Sequence, residues 1–105
     1  MVKCAMMVGS GTNMLVYRSD RILKPMTIKI LAKRLGRSVR TTYRFVRRMC
    51  ILRVMAREEG RIYINPIYFF RGKHLSYHLY SLFRKELQAV LPPWVVERYE
   101  AGQWI

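Results

Sequence analysis

Between Arg37 and Arg48 the chain places five arginines, Arg37, Arg40, Arg44, Arg47 and Arg48, with Ser38 and Thr41 among them. Arg40, Arg44, Arg47 and Arg48 stand at i, i+4, i+7 and i+8, which puts them on one side of a helix. A guanidinium does not exchange protons near neutral pH. Its planar fork of donors grips phosphate or the edge of guanine with two bonds at once. The chemistry written here is therefore anion recognition. The competing reading is a merely solvated basic face. Such a face normally mixes signs, because like charges at i+4 repel by about 0.2–0.5 kcal/mol per pair. Here no acid occurs between Arg21 and Arg57. That absence favours a face kept positive for a polyanion, and the residue types extend it to Ser38, Thr41, Arg53, Arg57 and Arg61.

The residues that could support catalysis are sparse. The acids are Asp20, Glu58, Glu59, Glu86, Glu97 and Glu100. Glu58 and Glu59 adjoin on a turn, and Glu97 and Glu100 fall on a surface-like tail, so no acid–base pair with a histidine is expected. His74 and His78 are i, i+4, but no third metal ligand is near in sequence and the glutamate of a zinc-protease helix is missing. Gly9-Ser10-Gly11 lacks the lysine and helix start of a phosphate loop. The expectation is a protein with no catalytic residues, no metal and no cofactor.

The elements that would position the arginines are legible. Thr27 can cap a helix with apolar residues Ile28, Leu31, Ala32 and Leu35, the spacing of one buried stripe. Gly36 ends it in a left-handed conformation. Ser38 offers a second N-cap, and a new stripe follows at Thr42, Phe45, Val46 and Met49. Two helices joined by a tight turn at Gly36-Arg37 are the sequence form of a helix-turn-helix. Leu52 to Arg57 and Arg61 to Asn65 then alternate with period two, separated by Glu58-Glu59-Gly60, which reads as a two-stranded wing. Arg53, Arg57 and Arg61 flank that wing. Asn65 can cap a turn begun by Pro66, and Ile67-Tyr68-Phe69-Phe70 is expected to pack on the core through Ile67 and Phe70 rather than stack on bases.

These residues resemble a family. Thr27 to Gly36, then Ser38 to Met49, then a hairpin ending Ile62-Tyr63-Ile64-Asn65-Pro66, then Phe69-Phe70-Arg71-Gly72-Lys73, are similar to the winged-helix domain of small Firmicute plasmid and phage replication proteins. The likeness spans about Thr27 to Lys73. It implies a DNA-binding role in replication initiation or its regulation. Two departures stand out: the segment before Pro25 is not a clean first helix, and the tail after Lys73 has no counterpart.

The rest of the chain bounds the reading. Its 105 residues, 51% of them apolar, suffice for one compact domain. The net charge of +14 asks for a polyanionic partner. From Arg18 to Arg61 fourteen Lys or Arg face three acids, a net of +11, whereas His74 to Ile105 carries three of each. Val2 to Val8 reads as a short strand or arm, and Thr12 to Leu23 as one short helix or a strand-like segment. His74 to Leu91 reads as an amphipathic helix with the stripe Leu75, Leu79, Leu82, Phe83, Leu87 and Val90, stopped by Pro92-Pro93. Trp94 to Glu100 adds a last helical turn or two. Cys4 and Cys50 are too few for a disulfide scaffold. Met1 to Val8 is too short for a signal peptide, and no stretch is apolar enough to span a membrane, so a cytoplasmic protein is expected.

The fold expected is mainly α with a small β-hairpin: a winged helix-turn-helix over residues 12–73, followed by a C-terminal extension over 74–105. The function expected is sequence-specific binding of double-stranded DNA. A transcriptional repressor is the alternative within that class, and a non-catalytic module that binds a host protein or RNA is the alternative outside it. The neutral helix at 74–91 is expected to join two copies in a homodimer, since paired half-sites multiply specificity.

Overall fold

A computed structural model of the chain describes residues 8–9, 12–70 and 74–102. The expected arm at Val2–Val8 lies outside them except for Val8, as do Cys4 and the Arg71-Gly72-Lys73 step. The described residues form five helices and two antiparallel hairpins. This is a small mixed α/β domain rather than a mainly α one, and the second hairpin makes the difference.

That added hairpin joins β1 (Val16–Ser19) to β2 (Ile22–Pro25). Asp20 and Arg21 both take positive φ, 48° and 68°, the two-residue turn whose twist matches the strands. The stretch that sequence alone left open between helix and strand is therefore strand.

The next two elements follow their caps. Thr27 opens α1 (Ile28–Leu35), its hydroxyl accepting from the Ile30 N–H. Gly36 closes it at φ 67°, with Gly36 N–H bonded to Lys33 O and Arg37 N–H to Ala32 O. Ser38 then caps α2 (Val39–Ile51), its Oγ accepting from Thr41 N–H at 3.1 Å. The α2 stripe packs on α1: Thr42 and Val46 are buried, Phe45 and Met49 partly so.

α2 runs further than the alternation suggested, and the strand expected from Leu52 begins only at Met55. Arg53 ends the helix at φ 61°, with Arg53 N–H bonded to Cys50 O and Val54 N–H to Met49 O. These are the bonds that a glycine normally permits at a helix end, here made by an arginine. The chain then enters β3 (Met55–Glu58), turns at Glu59-Gly60, and returns as β4 (Arg61–Ile64).

β4 is buried on both faces. Ile62 and Ile64 join Met55, Leu31 and Val46 in one core, while Tyr63 enters a second with Leu79, Tyr80, Phe83, Leu87 and Tyr99. Residues 13–15 add a further strand-like edge: Leu15 N–H bonds Ile62 O and Ile64 N–H bonds Asn13 O. The second core is covered by α3 (Tyr77–Leu82), α4 (Arg84–Val90) and α5 (Pro93–Glu100).

Two expectations about this C-terminal layer are corrected. The single helix over 74–91 starts three residues later, behind the Ser76 cap, and breaks at Phe83 (φ −123°, ψ 33°). At the break the Arg53 guanidinium sits 5.4 Å above the Phe83 ring and donates to Leu82 O. The stripe expected to be a dimer seam lies inside the monomer: Leu79, Phe83 and Leu87 are buried against Tyr63 and Tyr99, because the hairpin's outer face needs cover. Only Val90 of that stripe stays well exposed, at 60%. The aromatic run is corrected too. Asn65 does cap the turn, accepting from Ile67 N–H at 3.1 Å, but Ile67, Tyr68 and Phe69 face outward and only Phe70 packs on the core.

Two outcomes follow for stability. Leu79→Asp places an unpaired carboxylate in a closed core, at a cost of several kcal/mol against a total of about 5–15. It is expected to give an unfolded chain in thermal melting, not a folded monomer in sedimentation. Asn65→Ala leaves Arg53 O and Ile67 N–H without the Asn65 side chain and is expected to lower the unfolding free energy by about 1–3 kcal/mol in urea titration.

Candidate nucleic-acid interface

The outer face of α2 is a row of cations. Arg40, Arg44, Arg47 and Arg48 are all exposed, as are Arg37 and Thr41 at the helix start. Among the described residues none of these five arginines meets a carboxylate. The ion pairs that form there lie elsewhere, between Arg53 and Glu86, His78 and Glu58, and Arg84 and Glu100. Ser38 is committed to the cap and also donates to Thr41 Oγ1 at 2.9 Å, so it positions the first turn of α2.

The hairpin adds one arginine to this face. Arg57 shares the strand face of Met55, which turns toward α2, and its guanidinium lies 5.6 Å from the centre of the Tyr43 ring. Tyr43, Val46, Arg47, Cys50 and Arg57 line a cleft of about 200 Å³ between α2 and β3. Two guanidinium groups at the rim and an apolar floor suit a sugar–phosphate segment. Burial pushes the Cys50 thiol pKa up, against the pull of Arg57 and Arg53, so it stays a neutral thiol at physiological pH. Cys50 is a free cysteine.

Two sequence-chosen arginines do not join this face. Arg53 is turned toward the C-terminal layer by its left-handed backbone. It binds the Glu86 carboxylate through both Nε and Nη2, and Leu82 O through Nη2. Arg61 pairs in register with Glu58, on the strand face opposite Arg57. Its side chain is exposed but directed away from α2. The pairing of His78 with Glu58, at 2.9 Å, was not foreseen. It belongs to the same outer face, where His78 also packs edge-on to Tyr63 at 5.3 Å. Both partners are about half exposed, and the contact ties α3 to the hairpin. No cluster of three or more metal-ligating side chains occurs among the described residues. Nor is any helix there long and apolar enough to cross a membrane.

Comparison with protein-family models, with curated proteins and with solved structures gave no match.

The Arg53–Glu86 contact predicts a pH dependence. The bond from Arg53 holds the Glu86 carboxyl below its ordinary 4.5. A lowered carboxylate pKa stabilises the fold above the ordinary value, and the contribution is lost as pH falls through the folded one. Arg53 is about half exposed, which limits the ion pair to about 1 kcal/mol or less. Arg53→Met is expected to lower stability at neutral pH, and the gap to the wild type should narrow below pH 4.5. Urea titrations across that range measure it.

Proposed function

We propose that this chain is a sequence-specific duplex-DNA-binding protein of the winged helix-turn-helix type. In that reading α1 and α2 are the helix-turn-helix, α2 enters the major groove, and β3–β4 is the wing. One observation carries it: α2 presents exposed arginines on a single face, unopposed by any carboxylate among the described residues. A duplex supplies the missing negative charge, and each neutralised phosphate releases condensed counterions.

The roles divide by position. Arg40, Thr41 and Arg44 occupy the first turns of α2, the part that reads base edges in this type of docking. Arg37, Arg47, Arg48 and Arg57 hold phosphates, with Arg47 and Arg57, the two arginines of the cleft, gripping one backbone segment between helix and wing. Arg53 is a positioning residue for the C-terminal layer. The resemblance to plasmid and phage replication proteins favours a part in replication initiation or its regulation. The binding unit in this reading is one chain, since the stripe that would have joined two copies covers the wing instead.

The test is a salt titration on a duplex selected from a random pool. Log affinity is expected to fall with log salt at about −0.9 per phosphate, for about 4–8 contacts. Arg40→Ala or Arg44→Ala is expected to cost about 1–3 kcal/mol on the selected site and less on random DNA. Arg57→Ala is expected to weaken both about equally, because phosphate contacts carry no sequence information. A slope near zero, or no duplex recovered at low salt, overturns the reading.

A further inference from the structure

The hairpin β1–β2 has no part in the contact just described. Its ten residues carry Arg18, Arg21 and Lys24 against one acid, Asp20. β2 is exposed along its whole length, and Ile22 and Leu23 near the turn are 60% and 56% exposed. A two-stranded ribbon with so little cover is marginal in water by itself. Hydrophobic burial does not explain why this one carries three cations and an uncovered apolar pair.

Its direction can be read from the hydrogen bonds. Ile64 N–H donates to Asn13 O and Leu15 N–H to Ile62 O. Residues 13–15 therefore run antiparallel to β4, toward the Glu59-Gly60 turn. β1 continues from Leu15 in that sense, and the ribbon closes where Met26 N–H donates to Leu15 O at 2.9 Å. So β1–β2 leaves the sheet at the same end as the tip of β3–β4. The register pairs Arg18 with Leu23 and Tyr17 with Lys24. Successive strand residues face opposite ways, so Arg18 and Lys24 lie on opposite faces of the ribbon, with Arg21 at its turn. Cations on both faces suit a groove, which offers phosphates on both walls, better than they suit a flat surface.

We propose that β1–β2 is a second DNA-contacting prong. It enters a groove of the same duplex beside the stretch read by α2, with Arg18 and Lys24 on phosphates of its two walls and Arg21 at the tip. This rests on the duplex-binding reading above. Hydroxyl-radical footprinting on a duplex recovered from a random pool tests it, using the full chain. The wild type is expected to protect a central stretch and an adjoining flank. The variant Arg18→Ala/Arg21→Gly/Lys24→Ala, with glycine chosen for the positive φ of Arg21, is expected to keep the centre and lose the flank. Its salt slope should become shallower by about 0.9 per lost contact, up to about 2.7 in all. Lys24→Gln alone, at an exposed position, should remove about one contact and gives a second reading that does not depend on how the triple variant folds. An unchanged footprint and slope in both variants overturns the prong and leaves the α2 reading standing. A wild type that protects no stretch of any duplex overturns both.

Discussion

The side chain of Asn65 is the constraint that ties the helix pair to the wing and to the turn that follows it. It is fully buried, and its Nδ2 donates to Arg53 O at 2.7 Å while its Oδ1 accepts from Ile67 N–H. Its backbone N–H meets Val54 O, and its backbone O accepts from Tyr68 N–H. One residue thus joins the end of α2, the end of β4 and the turn that leads to the C-terminal layer. Arg53 holds a left-handed conformation that an L side chain adopts at a cost of about 1–2 kcal/mol. The bond from Asn65 to its carbonyl helps hold it there. Asn13 acts alike at the other edge, donating to Ile64 O and Phe69 O from a buried position. Buried amides with such partners fix register, because any slip would leave them unsatisfied at about 1–3 kcal/mol each.

With the register fixed, β4 divides the molecule. Ile62 and Ile64 face the core beneath α1 and α2, and Tyr63 faces the three C-terminal helices. The division is electrical as well. The strongly basic segment from Arg18 to Arg61 forms the two hairpins and the α1–α2 pair, and the neutral segment from His74 onward forms the layer behind. Pairing of acids with bases occurs at the back: Glu86 takes Arg53, Glu58 takes His78, and Glu100 takes Arg84. The arginines of α2 meet no carboxylate among the described residues.

What sequence reading could reach was local. Thr27, Gly36 and Ser38 announce their caps within three residues, and the stripes of α1 and α2 repeat at helical spacing, so the two helices and the arginine face were legible. What it missed was decided at a distance. The break at Phe83 coincides with an arginine thirty residues earlier reaching Leu82 O. The fate of Arg53 turned on a positive φ, and that of Arg61 on its pairing with Glu58. The first hairpin is ambiguous in the sequence because its turn, Asp20-Arg21, lacks the glycine or asparagine that signals one. The apolar stripe at Leu79 and Phe83 was visible, but periodicity alone does not say whether a stripe faces a partner copy or the chain's own sheet.

α2 is the element whose sequence sits least comfortably with its own stability. Its first turn holds no acid and contains Arg40, although the positive end of the helix dipole favours negative charge there. Arg40, Arg44 and Arg48 follow at i+4 intervals, each adjacent pair repelling by a few tenths of a kcal/mol. The helix forms because the Ser38 cap, the α1 contact and the Asn65 clamp on Arg53, beyond its C-cap, outweigh those losses. Local rules broken this consistently on one exposed face, and obeyed on the buried one, are the pattern expected of a functional surface. On the duplex proposed above, an array of phosphates would turn each of those repulsions into an attraction. The same three devices that hold α2 against its own charge also keep its guanidinium groups on one exposed face.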